Sequence, residues 1–78
     1  MQLNYNVSKN GKTLGVYDQK TYGGIIEYYV GPFDTVDECR QYCKEYSDAW
    51  EMGYNGRAKA TIIEDKHYAS CSRWSSCD

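Results

Sequence analysis

One stretch of the chain has helical periodicity, and it constrains everything around it. Val36, Cys39, Cys43, Tyr46 and Trp50 recur at spacings of 3, 4, 3 and 4, the apolar stripe of a helix with one side on a core. Thr35 and Glu38 form a capping-box pair, with Asp34 as a competing N-cap. Asp37 and Glu38 in the first turn suit the positive end of the helix dipole. The pattern predicts a helix from Thr35 to about Met52, ended by Gly53.

On either side the period is two. Leu3, Tyr5 and Val7 alternate with Asn4 and Asn6, as in a half-buried strand. Leu14 and Val16 point one way, and Thr13, Gly15 and Tyr17 the other. Asn10-Gly11 between these runs is a strong hairpin signal, because both residues accept positive φ. Tyr22-Gly23-Gly24 reads as a second turn, and the β-branched, aromatic run Ile25–Val30 as a third strand. Gly31-Pro32 is expected to end it, since proline donates no ladder hydrogen bond. Ala58, Ala60 and Ile62 alternate with Lys59, Thr61 and Ile63; Glu64–His67 is expected as the turn and Tyr68–Cys71 as the return strand. The order β-β-β-α-β-β over short connections predicts one α+β domain spanning residues 1–78. Its sheet would be antiparallel, of about five strands, with the helix packed across one face.

Charge is unevenly spread. The chain carries a net −2, which argues against a global field for nucleic acid or an anionic membrane. The acids Asp34, Asp37, Glu38, Glu45, Asp48 and Glu51 outnumber Arg40 and Lys44 around the helix, and the remainder is weakly basic. Arg57 and Lys59 share one side of a strand, Lys9, Lys12 and Lys20 sit near turns, and Tyr17, Tyr28 and Tyr29 have rings that stack on bases. No RNP-like motif gathers them, so nucleic acid is not expected as a direct ligand. No run approaches the length of a membrane span. MQLNYNVSKNG has no apolar h-region, so a cytoplasmic location is expected.

The four cysteines admit three roles. Cys39 and Cys43 fit the core-facing stripe as small buried hydrophobes. A helix-to-strand disulfide, Cys43–Cys71, would staple helix to sheet. A four-thiolate zinc site lacks the tight CxxC knuckle, so no metal and no cofactor is expected. Catalysis is not expected either. His67 is the one histidine, no serine has a nucleophile-elbow context, and there is no phosphate-binding glycine loop.

Nine tyrosines are many for so small a domain. Tyr5, Tyr28 and Tyr46 suit the core. Tyr17, Tyr22, Tyr29, Tyr42, Tyr54 and Tyr68 are harder to bury together, and exposed tyrosine is what protein-binding surfaces use. Candidate binding residues are therefore Tyr17, Tyr22, Tyr29 and Tyr54, with Asp37, Glu38, Gln41, Tyr42, Glu45 and Asp48 on the outer side of the helix.

Two resemblances bear on function. YYVGPFDTVDECRQYCKEY resembles the GPF-then-helix segment of SPOR domains, which implies a cell-wall glycan-binding module; the preceding strands and the missing second helix depart from that family. The whole chain, in size and element order and in its RWSSCD ending, is similar to anti-CRISPR proteins encoded by phages. That resemblance implies a non-catalytic inhibitor in the host bacterial cytoplasm, covering a surface on a protein or protein–RNA defence complex. It transfers no functional residue. A small cysteine-bridged or zinc-binding structural protein is the third alternative.

Overall fold

The structure, a computed structural model, describes residues 1–49 and 56–74, and of these the side chains of Asp48 and Ala49 are outside the description. Trp50, Glu51, Met52, Gly53 and Tyr54, named above, and the fourth cysteine, Cys77, lie outside the described residues. The strands are β1 (Leu3–Lys9), β2 (Lys12–Tyr22), β3 (Ile25–Phe33), β4 (Arg57–Ile63) and β5 (Lys66–Trp74), with α1 (Val36–Ala49) between β3 and β4. They form one antiparallel sheet in the order β1-β2-β3-β5-β4. The fold is thus α+β with the helix on one face of the sheet, as the sequence predicts.

The turns follow backbone chemistry. Asn10 and Gly11 take φ of 54° and 77°, and Gly23 and Gly24 take 54° and 79°, the sign a tight hairpin requires. Tyr22 belongs to β2 rather than to the turn. At the third hairpin Glu64 and Asp65 alone turn the chain, at φ of 51° and 64°. Lys66 and His67 are already in register with Ile63 and Ile62, so the expected four-residue turn is two residues shorter. His67, expected in that exposed turn, is half-buried in β5.

Gly31-Pro32 does not end β3. The strand runs on to Phe33 through an irregularity in its pairing with β5, between Val30–Ala69 and Phe33–His67. A bulge absorbs the proline, which has no ladder donor. The extra residue also turns Phe33 to the same side as Val30, and both are buried.

Thr35 caps α1. Its hydroxyl accepts from the Glu38 N–H at 3.2 Å and its carbonyl from the Cys39 N–H. The carboxylate of Glu38 does not close the capping box; it reaches Lys12 instead. The helix lies over β4, β5 and β3. Cys39, Cys43 and Tyr46 pack with Leu14, Val16, Val30, Phe33, Ala69 and Cys71 in one buried cluster. The small side chains of Ala69 and Cys71 let the helix approach the sheet closely.

The other face of the sheet has no second layer among the described residues. There Gly15 and Gly31 face each other across β2 and β3, and tyrosine rings fill the gap. A Cβ at Gly15 would stand 2.5 Å from Tyr17 Cε2, and one at Gly31 would stand 2.8 Å from Tyr68 Cδ2 and 3.0 Å from the His67 carbonyl oxygen. The two rings meet edge to face with centroids 5.8 Å apart. Replacing Gly31 with alanine should therefore overpack this site and destabilise the fold by about 1–3 kcal/mol, measured by urea unfolding. A change of under about 0.5 kcal/mol, the range of ordinary surface substitutions, would show that the Tyr68 ring is not held there.

Candidate functional site

The sheet register gathers the open face into rows. Tyr17 on β2 stands opposite Tyr29 on β3, Tyr29 opposite Ser70 on β5, and Ser70 opposite Lys59 on β4. The next row along the strands is Lys20, Glu27, Ser72 and Arg57. Each row spans three strand spacings, about 14 Å, and the rows lie about 7 Å apart. A depression of about 590 Å³ is lined from this face by Lys20, Glu27, Arg57 and Lys59 and from the helix side by Tyr28 and Ser47.

A second bulge makes these rows possible. The β2–β3 register shifts between Tyr17 and Lys20, and Asp18 there has φ of 53°. Tyr17 and Lys20 are three residues apart, and an unbroken strand would put them on opposite faces; the extra residue puts both on the open face. The carboxylate of Asp18 accepts from the Gln2 N–H at 2.8 Å, and its own N–H donates to the Gln2 carbonyl. Both bonds tie the start of β1 to the bulge.

Charges on this face differ from those near the helix. Lys20, Arg57 and Lys59 make no ion pair with any described residue. Glu27 is engaged by the Tyr22 hydroxyl, which donates to it at 2.6 Å. That bond holds the Tyr22 phenol above its ordinary pKa.

The helix side carries its own groove, of about 610 Å³, between α1 and the β1–β2 turn. Lys12 bridges Asp34 and Glu38, at 2.7 Å to each, and Lys9 meets Glu45 at 2.7 Å. Gln41 donates to the same Glu45 carboxylate at 3.0 Å. Asp34, then Glu38, hold the Lys12 ammonium above its usual range, and Lys9, then Gln41, hold the Glu45 carboxyl below its own. The acids expected to form a free outer surface are thus largely matched from within, leaving Asp37 exposed beside them.

The candidate residues therefore fall into separate groups. Tyr17 and Tyr29 are half-buried neighbours on the open face, and Tyr22 is exposed at the far end of β2. Glu38, Gln41 and Glu45 line the groove on the helix side. Tyr42, expected on the outer helix surface, points to the core edge. It packs on Phe33 and Tyr46 with Lys9 Nζ 5.0 Å from its ring centroid, and burial raises its phenol pKa. Asp48 is in the last turn of α1, and Tyr54 lies outside the described residues. Two other tyrosines exchange roles. Tyr68 is only 7% exposed, whereas Tyr5, expected in the core, is 49% exposed on the edge strand β1. Lys20 is expected near a turn and Ser70 and Ser72 in no binding role, yet the register sets all three beside Tyr29 and Lys59. The signal for them is the bulge at Asp18 and the pairing of β3 with β5, neither of which alternation reveals.

The Cys43–Cys71 bridge is not formed. Cys39, Cys43 and Cys71 are free buried thiols that pack as small hydrophobes. Cys39 donates to the Tyr68 carbonyl at 3.2 Å, and Cys71 lies 3.6 Å from the Ala69 carbonyl. Among the described residues no group of three or more histidines, cysteines or acids is placed to hold a metal ion. Beside the thiols, the Tyr28 and Tyr46 hydroxyls are hydrogen-bonded at 2.7 Å.

Burial pushes the Cys71 thiol up to about 12 and the Cys43 thiol up to about 11. In the unfolded chain such thiols ionise near about pH 8.5. Above that pH the unfolded state binds fewer protons, so stability is complete below it and falls as pH rises toward the folded-state values. The urea midpoint should decline between about pH 8 and pH 10, below the tyrosine range, and replacing Cys43 and Cys71 with alanine should flatten the decline. Native Cys71 should also resist a thiol-reactive reagent at a pH where the urea-unfolded chain reacts.

No helix among the described residues is long and apolar enough to cross a membrane. Scans of the chain against protein-family models, curated proteins and solved structures find no match.

Proposed function

We propose that this chain is a non-catalytic binding protein that acts by covering a surface on another macromolecule. The observation that carries this reading is the sheet face opposite the helix. Tyr17 and Tyr29 lie there side by side and half-buried, each offering aromatic area at low entropic cost. Lys59 ends their row and Lys20 and Arg57 end the next one, none of them ion-paired with a described residue. A sheet presented this way is a preformed contact surface, since backbone and rings are already in place. The groups between the rings and the cations are Ser70, Ser72 and Glu27, which suit orientation by hydrogen bonds. In its narrower form the proposal is a phage-encoded inhibitor of a bacterial defence complex, supported by chain size and by the pattern it shares with anti-CRISPR proteins.

Affinity capture from bacterial lysate, with mass-spectrometric identification of what is retained, tests the proposal. The wild-type chain should retain a defined protein or protein–RNA complex, and Lys59→Glu with Arg57→Glu should release it. Asp37→Asn on the helix side should leave retention unchanged. Retention of nothing, or loss confined to the helix-side variant, would overturn this assignment of the surface.

A further inference from the structure

The open face has a chemical bias that narrows its partner. Three cations that make no ion pair with any described residue, Lys20, Arg57 and Lys59, stand on it. Lys9 and Lys12, by contrast, are consumed by Glu45, Asp34 and Glu38 on the helix side. The one carboxylate in the two rows, Glu27, is engaged by Tyr22. The face therefore favours an anion, and a long one, because Lys20 and Arg57 stand at opposite ends of a row about 14 Å wide. In the neighbouring row Tyr17 and Tyr29 stand side by side, with Lys59 at the far end. A ligand that uses the whole face must combine spaced negative charge with flat apolar groups. An acidic peptide supplies the charge but a flat group only where it carries an aromatic residue, an anionic bilayer has none, and single-stranded nucleic acid has a phosphate and a flat base in every unit.

Resting on the reading of this face as a contact surface, we infer that it binds single-stranded nucleic acid, with bases stacked on Tyr17 and Tyr29 and phosphates at Lys20, Arg57 and Lys59. This reverses the expectation from sequence, where net charge and the lack of a motif spoke against such a ligand. Stacking of bases on aromatic side chains along a basic groove needs no sequence motif, because every base has a π-face.

Fluorescence anisotropy with labelled oligo(dT) and oligo(rU) dodecamers and the intact chain tests this. At least one oligonucleotide should bind saturably. Its affinity should fall about 20-fold from about 50 mM to about 200 mM salt, the loss for three phosphate contacts on a single strand. Tyr29→Ala should weaken binding at least about fivefold. Lys59→Glu and Arg57→Glu, at exposed positions where folding is readily confirmed by an unchanged melting curve, should abolish most of it, and Asp37→Asn should change nothing. Binding of neither oligonucleotide at low salt would overturn the inference. So would equal competition by polyglutamate, which would mean charge alone and an acidic protein partner. Capture from nuclease-treated lysate separates the two levels. A protein still retained there through Lys59 and Arg57, with no oligonucleotide binding, keeps the contact surface and removes its nucleic-acid ligand. Nothing retained and nothing bound removes both.

Discussion

Everything in this fold depends on how closely α1 lies on the sheet. Cys39 and Cys43 meet Ala69 and Cys71 within one buried cluster, and short side chains on both sides allow the approach. Among the described residues α1 is the one helix, and it covers one side of the sheet. The opposite face must then be made tolerable in water without a covering layer. The pairing of Gly15 with Gly31, with Tyr17 and Tyr68 laid over them, does this. The glycines make room for the rings, and the rings shield the backbone beneath.

The same division organises the charges. The acidic run around the helix looks, in one dimension, like a surface waiting for a basic partner. In three dimensions the β1–β2 turn brings Lys9 and Lys12 to it, and the charge is matched locally. Those exposed pairs add little to stability. Their larger effect is to commit Lys9 and Lys12 on the helix side, while Lys20, Arg57 and Lys59 on the far face pair with no described residue. A weakly acidic protein thereby presents a positive side.

Much of the fold was legible from residue patterns. The Val36–Tyr46 stripe, the Thr35 cap and the Asn10-Gly11 and Gly23-Gly24 turns are local signals, and local geometry obeys them. Two kinds of feature were not legible. Bulges break the count on which alternation rests: Asp18 moves Lys20 across the sheet, and the Gly31-Pro32 step moves Phe33 into the core. The strand order is also not written locally. Nothing in Tyr29 or Ser70 alone says that β5 lies between β3 and β4, yet that order joins Tyr29 to Lys59. Tyr5 and Tyr68 show the same limit. Both alternate correctly in their strands, but β1 is an edge and β5 is central, and position in the sheet decides which ring is buried.

The central place of β5 has a consequence for how the molecule is made. Strands β1 to β3 are contiguous and can form a meander as they emerge, but the edge of β3 then has no neighbour until residues 66–74 exist. Through that interval a row of backbone donors and acceptors is open to other chains. The bulge at Gly31-Pro32 interrupts the regularity of that edge, which makes it a poorer template for a wrong strand. The tyrosine pair needs only β2 and β3, but Lys59 and Arg57 join the rows only through β5. The contact face is therefore complete only when the last hairpin has paired with β3.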